Sequence, residues 1–143
     1  MSDLRPLPSV LVTGASGFIG GRIVARLREL GFPVAGTTRR DTVDSRLVRI
    51  DLADRSVSLS ERFPDSDVVV HCAARSSPWG TRREFERDNV EATDRVIDWV
   101  LQRPQRRLVF LSSSSVHYAA GHQHGLTETT PLPRRPVNRY AET

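Results

Sequence analysis

Three groups of residues combine types and spacing in ways that point to chemistry. The first is Thr13-Gly14-Ala15-Ser16-Gly17-Phe18-Ile19-Gly20. A glycine at 14 permits a tight turn out of a strand. One at 17 lets backbone approach a pyrophosphate with no Cβ in the way, and one at 20 lets a helix pack close to a sheet. A helix beginning there offers unpaired N–H groups and a partial positive charge to phosphates. Spaced glycines alone are a weak signal, and it is the position between a strand and a helix that makes these informative. The second group is Thr37-Thr38-Arg39-Arg40, where a second strand ends. An acidic residue there would bind a ribose 2′-hydroxyl and favour NAD. Arg39 or Arg40 instead suits a 2′-phosphate through a charge-assisted fork, so NADP is favoured, with NAD still possible because Asp41 follows closely. The third group is the serine run Ser112-Ser113-Ser114-Ser115 together with the two tyrosines, Tyr118 and Tyr140.

Two other features are set aside. His122-Gln123-His124 lacks a nearby cysteine or a spaced carboxylate, so no metal site is expected. Cys72, the single cysteine, cannot form an internal disulfide, which fits a reducing compartment, and it reads as a small buried hydrophobe rather than a nucleophile.

These groups need a scaffold, and the apolar pattern supplies one. Residues 9–13 read as a buried strand ended by Gly14. Residues 18–30 read as a helix whose apolar face is Phe18, Ile19, Ile23, Val24, Leu27 and Leu30, with Gly31 as its stop. Strands are expected at 33–38, 47–50, 67–72 and 107–112, and a short helix at 56–63. The longest helical pattern runs over 81–102, with Phe85, Val90, Val96, Ile97, Val100 and Leu101 as its stripe. From Ser113 to Asn138 the chain is rich in Ser, Gly and Pro and reads mostly as loop. Strands alternating with helices imply a Rossmann-type, doubly wound parallel sheet with helices on both faces.

The 143 residues suffice for one domain with a real core, and 38% apolar with 27% charged residues is ordinary globular composition. No apolar run approaches the roughly 18 residues of a membrane span, and the first eight residues do not resemble a secretory signal. A cytoplasmic location without a membrane partner is expected. The charge is +4, and all 21 basic residues are arginine. They are spread along the chain beside Asp and Glu rather than gathered on one face, so no nucleic-acid partner is expected.

The glycine segment TGASGFIG resembles that of the extended short-chain dehydrogenases, the epimerase/dehydratase and 3β-hydroxysteroid-dehydrogenase-like group. Further matches follow in order from Val10 to Thr143. Asp51-Leu52 resembles the acidic residue after the third strand, which implies contact with the adenine amine. His71-Cys72-Ala73-Ala74 resembles the family's HxAA strand end, which lines the cofactor. Asn89-Val90-Glu91-Ala92-Thr93 resembles its NVxGT helix, with Ala92 in place of Gly. Leu111 to Val116 resembles its SSxSV strand end, and the segment 136–143 resembles PxxxYxxTK. Residues 76–80 resemble the loop that faces substrate, so Trp79 either covers a substrate ring or packs.

The resemblance implies a nicotinamide-dependent oxidoreductase or epimerase acting on a hydroxyl/carbonyl substrate, a nucleotide sugar or a hydroxy/keto compound. It carries the proton-exchanging hydroxyl onto Tyr140 and its hydrogen-bonding partner onto Ser113, with Ser112 and Ser114 as neighbours in contention and Tyr118 ranked lower. Asn89 is carried over as the organiser of a water chain, and is otherwise a helix-surface residue. The family's lysine, which lowers the tyrosine pKa from about 10, would fall at position 144. The sequence ends at Thr143 and contains no lysine. The expectation is therefore an incomplete cofactor-binding domain over residues 1–143, truncated after the fifth strand and following loop, lacking the C-terminal substrate-binding part. Such a chain should hold a dinucleotide with little turnover, or act only as a binding module. With its fifth strand as an exposed edge it should also be marginal or aggregation-prone.

Overall fold

Four-residue Val10–Thr13 is apolar enough to be buried on both sides, and it becomes β1, the central strand of a five-stranded sheet. The computed structural model describes residues 6–121 and 123–143. The other strands are β2 (Val34–Thr38), β3 (Leu47–Arg49), β4 (Val68–His71) and β5 (Arg107–Phe110), in the order β3-β2-β1-β4-β5. Every pairing is parallel, with Val10 opposite Val34 on one side and Val68 on the other. The chain runs outward from β1 through β2 to β3, then returns to add β4 and β5 on the opposite flank. The reversal between β1 and β4 is a topological switch point, where ligands of open α/β sheets bind at the carboxyl ends of the strands.

Alternation along β1 divides the core. Leu11 joins Ile50, Leu59, Phe63, Val69, Val96, Trp99 and Val100 on one face of the sheet. Val10 and Val12 join Ala15, Val24 and Val34 on the other, backed by Ile23 and Leu27. Both faces of the central strands are therefore covered, as a parallel sheet requires. The first helix, α1 (Phe18–Glu29), supplies Val24 to the second cluster. The short helix α2 (Leu59–Arg62) supplies Leu59 to the first.

The expected apolar face of α1 is narrower than its periodicity implies. Phe18, Ile19 and Leu30 are 83%, 51% and 50% exposed. Phe18 and Ile19 occupy the first turn, at the carboxyl edge of the sheet, and Leu30 follows the last, so only the middle of the helix reaches the core.

The long helical pattern forms three contiguous pieces: α3 (Arg82–Phe85), a π-helical segment (Glu86–Glu91) and α4 (Ala92–Leu101). Thr81 and Glu84 close a reciprocal capping box at its start. The Ala92 N–H bonds the Arg87 carbonyl, five residues back. This wider turn shifts the phase of the helix face. Phe85, Val96 and Val100 are buried as expected, but Val90 and Leu101 face solvent, and Asp88, Asn89 and Trp99 turn inward.

β5 is an edge strand, and Val109, Phe110 and Leu111 beside it are 41–55% exposed. Beyond it lie a 3₁₀ turn (Ser114–His117), loop, and α5 (Arg139–Glu142). No helix among the described residues is long and apolar enough to cross a membrane.

Candidate functional site

A pocket opens at the carboxyl ends of β1, β2 and β4, at the switch point. Its wall comprises Gly14, Ser16 and Gly17 from the glycine loop, and Thr37, Thr38, Arg39 and Arg40 from the end of β2. Ile50, Asp51 and Leu52 follow β3, Cys72, Ala73 and Ala74 follow β4, and Asp88 and Ala92 complete the wall from the long helix.

The glycine loop is shaped by contacts that exclude side chains. Gly14 has φ +66°, and a Cβ there would lie 2.9 Å from the Ala73 Cα. A Cβ on Gly20 would lie 2.3 Å from the Gly14 carbonyl oxygen, which is how helix and strand end come so close. At Gly17 the nearest atom to an added Cβ is the Gly14 oxygen at 3.2 Å, and the open side faces the pocket. Gly17 is also the N-cap of α1. No side chain caps this end, and no acidic residue stands in its first turn. The N–H groups of that turn therefore have no acceptor within the helix, in the geometry of an anion-binding site.

Beneath the loop, the buried Thr13 and His71 and the half-buried Thr93 lock β1 to β4 and to α4. Thr13 Oγ1 accepts the N–H groups of Cys72 and Ala73, each at 3.1 Å. Its single hydrogen then points to His71 Nδ1 at 2.7 Å. The imidazole therefore carries its proton on Nε2 and donates it to Thr93 Oγ1 at 2.9 Å. Burial lowers the His71 pKa from 6.5 to about 4, so the ring is neutral and structural. This lock positions Cys72 and Ala73 on the pocket wall. Burial also pushes the Cys72 thiol upward, which keeps it protonated and unreactive.

The segment after β3 is held from α4. Arg95 donates to the carbonyls of Leu52 at 2.5 Å and Asp54 at 2.7 Å, and also to that of Val57. Asp51 accepts the Ala53 N–H at 3.1 Å and pairs with Arg87. Asp88, whose side chain is 5% exposed, pairs with Arg39 at 3.0 Å, Arg75 at 3.0 Å and Arg87 at 2.8 Å. Burial works to raise the Asp88 carboxyl, but Arg39 and Arg75 outweigh it and hold it below its ordinary value.

Of the residues expected at the cofactor, Gly14, Ser16, Gly17, Arg39, Arg40, Asp51, Leu52, Cys72, Ala73 and Ala74 are brought together around this pocket. Ala15 is instead buried in the core, in the space that Gly36 leaves by lacking a Cβ. Gly20 lies beneath the Gly14 carbonyl, and the side chains of Phe18 and Ile19 point to solvent. These four shape or flank the loop rather than line the cavity.

The residues expected to react lie further along the sheet edge. Ser113 Oγ caps the 3₁₀ turn, accepting the Ser115 N–H at 3.2 Å and lying 2.7 Å from Ser115 Oγ. It faces a second cavity with Ser112, Ser114, His117, Tyr118 and Glu128. Tyr140 sits on α5, which is capped by Asn138 and packs against both the 3₁₀ turn and α3. Asn89 is buried. Its Oδ1 accepts the Arg75 N–H at 2.6 Å, and its Nδ2 donates to Thr143 Oγ1 at 2.9 Å. Asn89 thus joins the end of α5 to the pocket side of the long helix. Among the described residues the Tyr140 hydroxyl has no hydrogen-bond partner, whereas the Tyr118 hydroxyl lies 3.2 Å from Ser114 Oγ. Trp79 is 81% exposed on its loop. His122, half of the histidine pair, lies outside the described residues.

Three features of the site escaped the sequence reading: the Thr13–His71–Thr93 lock, the inward turn of Asp88, and Gly36. The only signal for the first was a histidine at the end of an otherwise apolar strand.

Comparison with known proteins supports the same reading. The model of the NAD dependent epimerase/dehydratase family matches residues 10–143. The chain is 29% identical over 136 residues to 2-alkyl-3-oxoalkanoate reductase of Shewanella oneidensis, covering 92% of this chain and 35% of that protein. A short-chain dehydrogenase/reductase superfamily protein from Agrobacterium tumefaciens, solved with bound NAD, superposes with a TM-score of 0.81 at 32% identity, over 94% of this chain and 41% of that one. MoeE5, solved with UDP-glucuronic acid and NAD, gives 0.78 at 36% identity, over 94% and 45%. The chain therefore spans less than half the length of these relatives. With a switch-point pocket, an uncapped helix N-terminus opening onto it and a family match over nearly its whole length, the chain belongs to the NAD dependent epimerase/dehydratase family.

Proposed function

We propose that residues 1–143 form the cofactor-binding part of an NAD(P)-dependent oxidoreductase or epimerase. The observation that carries this reading is the uncapped N-terminus of α1 facing the pocket across Gly17, a cradle that any Cβ would fill. Gly14, Ser16 and Gly17 would hold the pyrophosphate. Asp51 and Leu52 would face the adenine, and Cys72, Ala73 and Ala74 would line the path toward the nicotinamide. When bound, the nicotinamide supplies or takes up a hydride at the substrate carbon. Tyr140 would exchange the proton at the substrate oxygen, Ser113 would hydrogen-bond that oxygen, and Asn89 would hold α5 and a water behind them. Tyr118 is the second candidate, because its hydroxyl already touches the serine run.

NADP is favoured by Arg39 and Arg40 at the end of β2, and NAD is the alternative, since the solved relatives named above hold NAD. The substrate is a small hydroxyl or carbonyl compound, either a nucleotide sugar or a hydroxy/keto compound, and the compartment is the cytoplasm. Calorimetric titration of the chain with NADP and NAD tests the reading. Saturable one-site binding of at least one of them supports it, and absence of heat and of any competition with either would refute it.

A further inference from the structure

The two arginines that end β2 are adjacent in sequence but differently engaged. Arg39 reaches across the pocket to Asp88, 49 residues away, at 3.0 Å. Among the described residues Asp88 is its single ionic partner, whereas Arg75 also pairs with Glu84 and Arg87 also pairs with Asp51. Arg40 lines the same pocket and has no ionic partner among the described residues, while its backbone N–H is fixed by Thr38 Oγ1 at 3.0 Å. Asp88 can make this reach because the π-helical segment turns it inward, where its carboxylate is almost fully enclosed.

A 2′-phosphate at the end of β2 would have to draw Arg39 away from Asp88. That would leave a buried carboxylate with one cation fewer, which is costly. No such cost attaches to Arg40. We propose that Asp88 is a specificity-determining residue of this pocket: by holding Arg39 against the opposite wall, it leaves Arg40 as the guanidinium that receives an adenosine 2′-phosphate, and so limits the preference for NADP over NAD. This rests on the dinucleotide reading above.

The test is calorimetric titration of NADP and NAD into the 143-residue chain and its Asp88→Asn, Arg39→Gln and Arg40→Gln variants. Arg40→Gln should lower the NADP-to-NAD affinity ratio by about tenfold, the value of one charge-assisted contact. Arg39→Gln should shift both affinities alike. Asp88→Asn frees a second guanidinium and should raise the ratio by about tenfold, and adding Arg39→Gln to it should restore the starting ratio. The proposal is overturned if Arg39→Gln lowers the ratio as much as Arg40→Gln does. It is also overturned if Asp88→Asn lowers the melting temperature and leaves the ratio unmoved. Should Asp88→Asn fail to fold, the contrast between the two arginine variants decides alone. Binding of neither cofactor by the unaltered chain sinks the dinucleotide reading as well, whereas binding of both with a ratio indifferent to Asp88 sinks this inference only.

Discussion

The glycine-loop end of the molecule and the serine–tyrosine end are built on different principles. Around the glycine loop, position is set by the sheet itself. Thr13 and His71 are at most 2% exposed, and the lock they form joins residues 58 apart in sequence. Around Ser113 and Tyr140, position depends on a 3₁₀ turn and a single turn of helix, joined to the rest by side-chain bonds such as Asn89 to Thr143. The first region inherits the rigidity of a packed core. The second is anchored at points, so it is the part whose geometry local changes can alter most easily.

Perturbations of graded size test that contrast. The largest effect is expected from Gly20→Ala, because the new Cβ meets a backbone oxygen that cannot move without shifting the strand end. Denaturant melts should show a loss of about 3 kcal/mol, at the upper end of overpacking costs. A loss under about 1 kcal/mol would mean that the loop is not rigidly held. Gly17→Val should cost less in the melt than Gly20→Ala, because its Cβ would lie 3.2 Å rather than 2.3 Å from the Gly14 oxygen, yet weaken dinucleotide binding by at least about 100-fold, close to 2.7 kcal/mol. Titration calorimetry reads the first effect against the second, and unchanged affinity removes Gly17 from the site.

Acid should weaken the lock next. The folded pKa of His71, about 4, lies below its ordinary 6.5, so the unfolded chain binds the proton more readily between those values. Stability is then full above pH 6.5 and falls as pH drops toward 4. Between pH 8 and pH 5 the loss should be about 2 kcal/mol. Urea melts across this range check it, and His71→Gln should flatten the curve. The smallest effect belongs to Asn138→Ala, which removes the cap of α5 and costs about 1 kcal/mol locally. Hydrogen exchange should quicken over residues 139–143 while dinucleotide affinity stays within about twofold. A larger drop in affinity would show that the two regions are not separable.

The same contrast explains what was legible beforehand. The strands and the glycine loop follow from local pattern, since apolar runs, turn glycines and helix spacing are written in neighbouring residues. All five strands lie where the pattern puts them, within two residues at each end. Phe18 and Ile19 deceived the helical pattern because periodicity reports which face a residue occupies, not whether the sheet extends far enough to cover it. The inward turn of Asp88 was hidden by the π-helical segment, which breaks the 3.6-residue period that would have placed it, whereas Asn89 was found through the family resemblance. The partners of His71 come from two distant elements, and Gly36 matters because Ala15 and Leu47 both pack against it. Contacts of that kind are properties of the folded sheet, and no window of sequence contains them.

The grip of Arg95 on the segment after β3 has one more consequence. Three carbonyl groups, those of Leu52, Asp54 and Val57, hang from a single guanidinium on α4. The helix and the pocket wall formed by Asp51 and Leu52 are thereby tethered, and a tilt of α4 becomes a displacement of those two residues. A mutation far down that helix can therefore act as a lever on the pocket without touching anything inside it.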